Sequence, residues 1–142
     1  MLDIIEYSTT HFCKHILKLQ IKEAKDISGE LYGASIPITR KDTKEEYSFY
    51  LFFSKEVLKK IAGVLVNDNK FKEDDWTDLV KECANQIIGY AKNLLNDKSG
   101  KDVHKLGIPE YLGKVDFSAI NLDQSLTYEL DNHCFRIGYK KI

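Results

Sequence analysis

The chain has 142 residues, of which 43% are hydrophobic, 11% aromatic and 30% charged, and its formal net charge at pH 7 is −1. This length predicts a single domain spanning residues 1–142, and the composition excludes intrinsic disorder, a coiled coil and a collagen-like chain. Because a nearly neutral protein has no field that gathers polyanions, we expect neither nucleic acid nor a membrane surface as a partner.

The sequence also predicts a cytoplasmic protein with reduced thiols. Its longest apolar runs, such as Tyr47 to Phe53, are far shorter than the roughly 20 residues of a membrane-spanning helix. The first six residues include acids where a secretory signal carries lysines. Cys13, Cys83 and Cys134 are odd in number and widely spaced, which indicates buried thiols rather than a disulfide framework.

The first half of the chain reads as a helix followed by two strands. Apolar residues at helical offsets predict a helix from Leu2 to about Leu19. Gly29 to Thr39 contains Pro37 among β-branched residues, which favours an edge strand or a strand with a break. After a charged turn, Tyr47 to Phe53 is almost continuously apolar, as is typical of a central strand packed on both faces.

Two helices are predicted next. Ser54 stands where an N-cap belongs, and one helical stripe follows it: Val57, Leu58, Ile61, Ala62, Leu65 and Val66. Asn67 to Asn69 is predicted to end that helix. The acids Glu73 to Asp75 precede a second helix, expected from Trp76 to about Asn96, whose positive dipole end favours them.

The remainder of the chain reads as a turn, a connection and a hairpin. Asp97 to Gly100 is predicted to form a turn. Lys101 to Lys114, which contains two glycines and Pro109, is predicted to be a connecting segment. Alternating apolar residues from Val115 to Ile142, interrupted at Asp131-Asn132-His133, predict a C-terminal β-hairpin. The fold class is therefore α+β, with a mostly antiparallel sheet and packed helices.

The helix that begins at Trp76 has two distinct faces when its side chains are placed at about 100° per residue. One is an apolar arc formed by Trp76, Leu79, Val80, Cys83, Ala84, Ile87, Ile88, Ala91, Leu94 and Leu95. Asp78, Glu82, Asn85 and Gly89 fall at roughly 200°, 240°, 180° and 220°, almost opposite the arc. We call these four residues the polar stripe and expect it to face solvent.

A polar outer face can simply be a solvated face, but two residues of the stripe weaken that interpretation. Asn85 and Gly89 are poor helix formers, each costing up to about 1 kcal/mol relative to alanine. They stand at surface positions where other residues would stabilise the helix better. A glycine one turn beyond an exposed carboxamide also lets another surface approach the backbone closely.

The pattern Asp78-x-x-x-Glu82-x-x-Asn85, followed by Pro109, resembles the signature of the CheC/CheX family of chemotaxis phosphatases. That signature reads Asp or Ser, three residues, Glu, two residues, Asn, and a downstream proline. From Gly29 onward the predicted elements also follow the order of that family. Pro109 lies one residue further from Asn85 than in the family pattern.

The resemblance is closer to CheX than to CheC, because CheC-type members carry a second copy of the motif on their first helix. Here Glu6 is followed by Thr9 where that copy would have an asparagine, so one site is expected. Ser125, Glu129 and Asn132 satisfy the same spacing. They lie in a predicted strand and turn, where they would not share a helical face, so we reject this second match.

The resemblance implies a chemistry and a partner. The substrate would be a phosphorylated CheY-like response regulator that carries its own Mg²⁺ and lysine, so this chain would need no cofactor of its own. Asn85 would orient the attacking water and Glu82 would pair with the regulator lysine, with Asp78 and Gly89 in docking. The resemblance also implies a homodimer formed through sheet edges.

Two other functional interpretations remain open at this stage. One is a non-catalytic adaptor, or a flagellar-switch relative, that binds the regulator without hydrolysing its phosphate. The other is an unrelated α+β domain in which the motif is fortuitous, which would hold if the stripe were buried. Retention of both Glu82 and Asn85 favours catalysis, because an adaptor needs no carboxamide.

Three smaller groups of residues have structural as well as functional interpretations. His11 and His15 share a helical face, with Cys13 between them, and could form half of a metal site. The one other identifiable ligand cluster is His133-Cys134, far away in sequence, so we expect no metal. Cys83 lies on the apolar arc and reads as a core thiol. A basic patch is formed by Lys98, Lys101, His104 and Lys105, which could contact an acidic regulator surface.

Overall fold

The computed structural model describes residues 1–25, 30–65, 73–116 and 120–142. Its helices are α1 (Leu2–Thr10), continued by a π-helical segment (His11–Ile16), α2 (Lys55–Leu65) and α3 (Glu73–Ser99). Its strands are β1 (Lys22–Glu23), β2 (Leu31–Arg40), β3 (Glu46–Ser54), β4 (His104–Leu106), β5 (Glu110–Val115), β6 (Gln124–Leu130) and β7 (His133–Lys141).

The strands form one antiparallel sheet with the order β1-β6-β7-β3-β2-β4, in which β5 also pairs with β2. The main core lies between one face of this sheet and the helices, and it includes residues from α1, α2 and α3. A smaller cluster lies on the other face around Leu31 and Phe52. This arrangement confirms the predicted α+β class.

The central position of the aromatic strand is confirmed. β3 lies between β7 and β2, and its alternate residues Phe49, Leu51 and Phe53 are buried in the main core. Phe52 points to the opposite face, where it belongs to the smaller cluster with Leu31. Burial on both faces explains why this strand reads as a continuous apolar run rather than an alternation.

The strand containing Pro37 was predicted to be an edge strand or a strand with a break, and it is neither: β2 is continuous over Leu31–Arg40 and lies inside the sheet. β2 pairs with β3 on one side and with β4 and β5 on the other. The proline is tolerated because the neighbouring strand is interrupted beside it, between Leu106 and Glu110. The carbonyl of Pro37 accepts a hydrogen bond from the Gly107 N–H at 2.8 Å, and no partner strand requires the missing proline N–H.

The stretch from Lys101 to Lys114, predicted as a connection, instead contains β4 and β5. These strands pair with successive parts of β2 and together form one interrupted strand. Their short length and the glycines and proline between them hide the strand periodicity from the sequence. β1 was also not predicted, since it consists of two residues paired with β6.

The predicted N-cap of α2 is confirmed: Ser54 Oγ accepts a hydrogen bond from the Val57 N–H at 3.3 Å. Four of the apolar residues predicted on one face of α2 are buried: Val57, Leu58, Ile61 and Ala62. Leu65, predicted on the same stripe, is 37% exposed. Val66 and the predicted stop at residues 67–69 lie outside the described residues.

α3, the helix that carries the polar stripe, is longer than predicted at both ends. The described part of α3 includes residues 73–75, which were predicted to precede the helix. The helix continues to Ser99 and ends at Gly100, whose φ of +71° is a left-handed conformation that glycine adopts without steric cost.

The two ends of the chain follow the predictions in outline. The C-terminal hairpin is confirmed as β6 and β7, joined at Asp131 and Asn132 with φ values of +49° and +68°. Positive φ at both positions is the geometry of a two-residue type I′ turn. The first helix ends earlier than the predicted Leu19, because regular α-helix stops at Thr10 and the π-helical segment ends at Ile16.

All three cysteines are free thiols, as predicted, and two of them are buried. Burial raises the pKa of the Cys13 thiol to about 12, and it also raises the pKa of Cys83. Cys134 is only partly buried. Since the thiolate is the reactive form, Cys13 and Cys83 should be inert in the folded protein.

Replacing the capping serine, Ser54→Ala, should lower the free energy of unfolding by about 1 kcal/mol, because the first turn of α2 loses a hydrogen-bond acceptor. Urea denaturation followed by circular dichroism measures this difference. Ser54→Asp is the matched control, since a carboxylate also caps a helix and should retain most of the stability. Equal losses in both variants would contradict the capping role.

A thiol-specific reagent should label one cysteine rapidly in the native protein and all three after denaturation. Mass mapping should place the native label on Cys134, since the other thiols are buried. The Cys134→Ser variant should then show no rapid labelling. Fast native modification of Cys13 or Cys83 would show that the packing between α1 and α3 opens readily.

Candidate functional site

The apolar arc of α3 is buried as predicted. Its fully or almost fully buried members are Trp76, Leu79, Val80, Cys83, Ala84, Ile87, Ile88 and Ala91. Leu94 and Leu95, near the end of the helix, are only partly buried. The helix packs on β2 and on α1, so its orientation is fixed from two directions.

The polar stripe points away from this core, but not all of it is fully exposed. Asp78 and Glu82 are exposed, whereas Asn85 and Gly89 are partly buried. The cover over Gly89 comes from β4, since a Cβ atom built on this glycine would lie 3.5 Å from Leu106 Cδ2. This is an ordinary van der Waals distance, so the glycine has room for a methyl group.

The interrupted strand runs beside the stripe. At the C-terminal end of α3, Asn96 Oδ1 accepts a hydrogen bond from the His104 backbone N–H at 2.8 Å. Two residues later Leu106 lies over Gly89, so the chain runs back toward the N-terminus of the helix. The loop that contains Ile108 and Pro109 follows, and β5 beyond it also contacts α3. Ile108 is 87% exposed.

Glu82 is held by a neighbour that the sequence reasoning missed. Gln86 Nε2 donates a hydrogen bond to Glu82 Oε1 at 3.0 Å, and both side chains are exposed. The i, i+4 spacing of these two residues was the available signal. By contrast, the carboxamide of Asn85 forms no hydrogen bond with any residue that the structure describes.

The opposite flank of α3 is fixed by the first helix. The ring of His11 stacks on Tyr90 with centroids 4.1 Å apart and planes inclined by 5°. Deeper in the contact, Ser8 Oγ donates a hydrogen bond to the carbonyl of Ile87. These contacts place the stripe between the α1 flank and the interrupted strand.

The metal hypothesis for His11 and His15 receives no support from further ligands. Their rings lie 5.3 Å apart and stack on one another. Within the described ranges, no group of three or more His, Cys, Asp or Glu residues is arranged to hold a metal ion. Stacking on Tyr90 gives His11 a structural role in the contact between α1 and α3.

The predicted basic patch divides into exposed and structural members. Lys98, Lys101 and Lys105 are exposed, whereas His104 is partly buried and its Nδ1 lies 2.9 Å from Asn96 Oδ1. Burial, followed by the nearby Arg40 charge, lowers the pKa of the His104 imidazole. The patch therefore carries the charge of its lysines at neutral pH, and His104 adds none.

The rejected second motif match is spread over a strand and a turn. Ser125 and Glu129 lie in β6, and Asn132 lies in the hairpin turn. Glu129 pairs with Lys22 at 3.9 Å. The three residues do not share a helical face, so only the match on α3 presents its residues together. Among the described residues, no helix has the length and apolar character needed to span a membrane.

Comparison with known proteins identifies similar sequences and folds. Residues 38–130 match the family model described as chemotaxis phosphatase CheX. The chemotaxis protein CheX of Vibrio vulnificus superposes with a TM-score of 0.73 at 17% identity, covering 96% of this chain and 97% of its own. A chain of the CheX-CheY-BeF3-Mg²⁺ complex from Borrelia burgdorferi gives a TM-score of 0.71 at 15% identity, with coverages of 99% and 96%.

A third solved structure shares the fold. FliY of Thermotoga maritima gives a TM-score of 0.59 at 18% identity, covering 94% of this chain and 83% of its own. No curated protein matches the chain in sequence. The structural matches show a shared fold, and the matched family segment contains both the polar stripe and Pro109.

Proposed function

This chain belongs to the CheX family of chemotaxis phosphatases, and on that premise we propose that it hydrolyses the aspartyl phosphate of a CheY-like response regulator. One observation carries the proposal: α3 presents Glu82 and Asn85 together on its outward face, while its opposite face is buried. We expect the protein to work in the cytoplasm, where such regulators are found. The substrate class and the residue roles are those that the family pattern implies, and the outward placement of Glu82 and Asn85 on α3 supports them.

Asn85 is the proposed catalytic residue. Phosphoryl transfer is accelerated chiefly by positioning and by stabilising charge, so little covalent chemistry is required of the protein. A carboxamide offers an acceptor and two donor hydrogens in one plane, and it does not itself act as a base near neutral pH. Since Asn85 has no hydrogen-bond partner among the described residues, its carboxamide is available to hold a water in line with the phosphorus–oxygen bond.

Glu82 is the proposed contact for the regulator lysine. It lies one turn before Asn85 and is exposed, so a lysine from another protein can reach its carboxylate. A charge-assisted hydrogen bond of this kind fixes geometry as well as adding affinity. Because three residues of α-helix separate the two side chains by about 4.5 Å along the axis, a regulator bound at Glu82 presents its phosphate near Asn85.

Asp78 and Gly89 are proposed to assist docking at the two ends of the stripe. Asp78 is exposed and lies one turn before Glu82, where it adds negative charge toward the same lysine. At the other end, Gly89 has no side chain beside Leu106, so another protein can approach the helix backbone closely there. The regulator would supply the Mg²⁺ and most of the phosphate site, which is why we propose no cofactor for this chain.

We also propose that the active protein is a homodimer formed through sheet edges, as the resemblance implies. The described sheet ends at β1 on one side and at β4 and β5 on the other. β1 has only two residues, so the longer interrupted strand offers more unpaired backbone groups.

The second candidate function is a non-catalytic adaptor that binds the regulator. This alternative stands because one fold can serve different functions, so the shared fold does not by itself decide between binding and catalysis. The combination of Glu82 and Asn85 on one face favours catalysis, because binding alone places no requirement on a water-orienting carboxamide.

The variant Asn85→Ala should reduce the acceleration of regulator dephosphorylation by at least about 100-fold, because the attacking water is no longer oriented. Stability should be unchanged or slightly higher, since alanine is the better helix former. The measurement is phosphate release from a phosphorylated CheY-like regulator of the same organism, with Mg²⁺ present.

Asn93→Ala is the matched control, because Asn93 is an exposed asparagine two turns further along the same helix. It should retain wild-type activity. If Asn85→Ala and Asn93→Ala accelerate phosphate loss as well as the wild-type protein does, Asn85 does not orient the water.

The docking role of Gly89 is tested by Gly89→Ala against Gly63→Ala. Both glycines lie in helices, and a Cβ would meet only an ordinary 3.5 Å contact at Gly89 and no atom within 4 Å at Gly63. Each variant should stabilise the protein by up to about 1 kcal/mol in urea denaturation. Only Gly89→Ala should raise the KM for the phosphorylated regulator, and equal KM values would contradict the docking role.

A further inference from the structure

The hydrogen bond between Gln86 and Glu82 controls how the carboxylate is presented. Gln86 Nε2 donates to Glu82 Oε1 at 3.0 Å across one helical turn. A carboxylate has only acceptors, so the amide must direct its NH₂ group toward it. One carboxylate oxygen is thereby engaged, and Oε2 is left for a donor from outside the chain.

The residue at position 86 is a glutamine, although a lysine there would stabilise the helix better. On an exposed helix, a lysine four residues after a glutamate is the pairing that best supports the helix. A lysine at position 86 would neutralise Glu82 and compete with any external ammonium group. Glutamine restrains the side chain without supplying a positive charge, and none of the ion pairs among the described residues includes Glu82.

Gln86 itself lies in an ordered row of side chains. Asp78, Glu82, Gln86 and Tyr90 follow one another at i, i+4 spacing, so each is the neighbour of the next on the helix surface. Tyr90 is fixed by stacking on His11 at 4.1 Å. Gln86 therefore lies between the acidic side chain of Glu82 and the stacked ring of Tyr90.

We propose that Gln86 is a positioning residue that holds the Glu82 carboxylate in place, without an ion pair, for the regulator lysine. This inference rests on the proposed function, since it assigns the partner of Glu82. Gln86 touches neither the phosphate nor the water and acts through Glu82. Its loss should therefore weaken recognition of the regulator and leave the chemical step unchanged.

The test compares Gln86→Lys and Gln86→Met with the wild-type protein. Methionine has a similar length and helix propensity but cannot donate a hydrogen bond, whereas lysine supplies the competing charge. Asn93→Lys is the control, because it adds the same charge to the same helix three turns away from Glu82. Far-ultraviolet circular dichroism and thermal unfolding should show all four proteins equally folded.

The readout is KM and kcat for the phosphorylated regulator, together with Kd for the regulator loaded with beryllofluoride and Mg²⁺. Gln86→Lys should raise KM and Kd roughly five- to tenfold and leave kcat unchanged. Its ammonium group would form an ion pair with the Glu82 carboxylate and would repel the regulator lysine. Gln86→Met should raise them roughly twofold to threefold, because Glu82 must be ordered during binding. Asn93→Lys should change neither.

A partner-free measurement keeps the inference separate from the proposed function. Scalar couplings of the Glu82 side chain in NMR should indicate one rotamer in the wild-type protein and averaged rotamers in Gln86→Met. Averaged couplings in both proteins, or wild-type Kd values in both Gln86 variants, would overturn the role of Gln86. Binding that weakens in Gln86→Lys without any phosphatase activity would support Gln86 and overturn only the enzyme proposal.

Discussion

The burial of one face of α3 is the constraint on which the site depends. Val80, Cys83, Ala84 and Ile88 are all completely buried against the sheet and α1, so the helix cannot rotate without exposing them. Helix geometry then places Glu82 and Asn85 about 60° apart on the outer surface. The distance and angle between the two side chains are therefore properties of the core rather than of a flexible loop, as a site that works by positioning requires.

The outer surface of the same helix departs from what stability alone would favour. Asn85 and Gly89 lower helix propensity, and Gln86 replaces the lysine that would best pair with Glu82. Contacts elsewhere offset these costs, including the stacked rings of His11 and Tyr90 and the hydrogen bond from Ser8 to Ile87. Local departures of this kind are expected where a surface serves a partner rather than the fold.

The parts of the fold that the sequence predicted are those fixed by local chemistry. The cap at Ser54, the hairpin turn at Asp131 and Asn132 and the buried arc of α3 each depend on residues close together in the chain. The internal position of β2 was not predictable, because Pro37 is tolerated only where a distant segment leaves a gap. The packing of Leu106 against Gly89 was likewise not predictable, because the two residues are far apart in sequence. The roles of the stripe residues came from the family pattern and remain predictions.

Multiple turnover is the property that most directly tests whether this chain is a phosphatase rather than an adaptor. A phosphorylated CheY-like regulator in large molar excess, with Mg²⁺ present, should lose its phosphate in a burst-free time course whose rate is proportional to the amount of this protein. Each molecule should then release many phosphates. If the regulator binds but its phosphate is lost at the intrinsic rate at every concentration of this protein, the chain is an adaptor and the catalytic account is wrong.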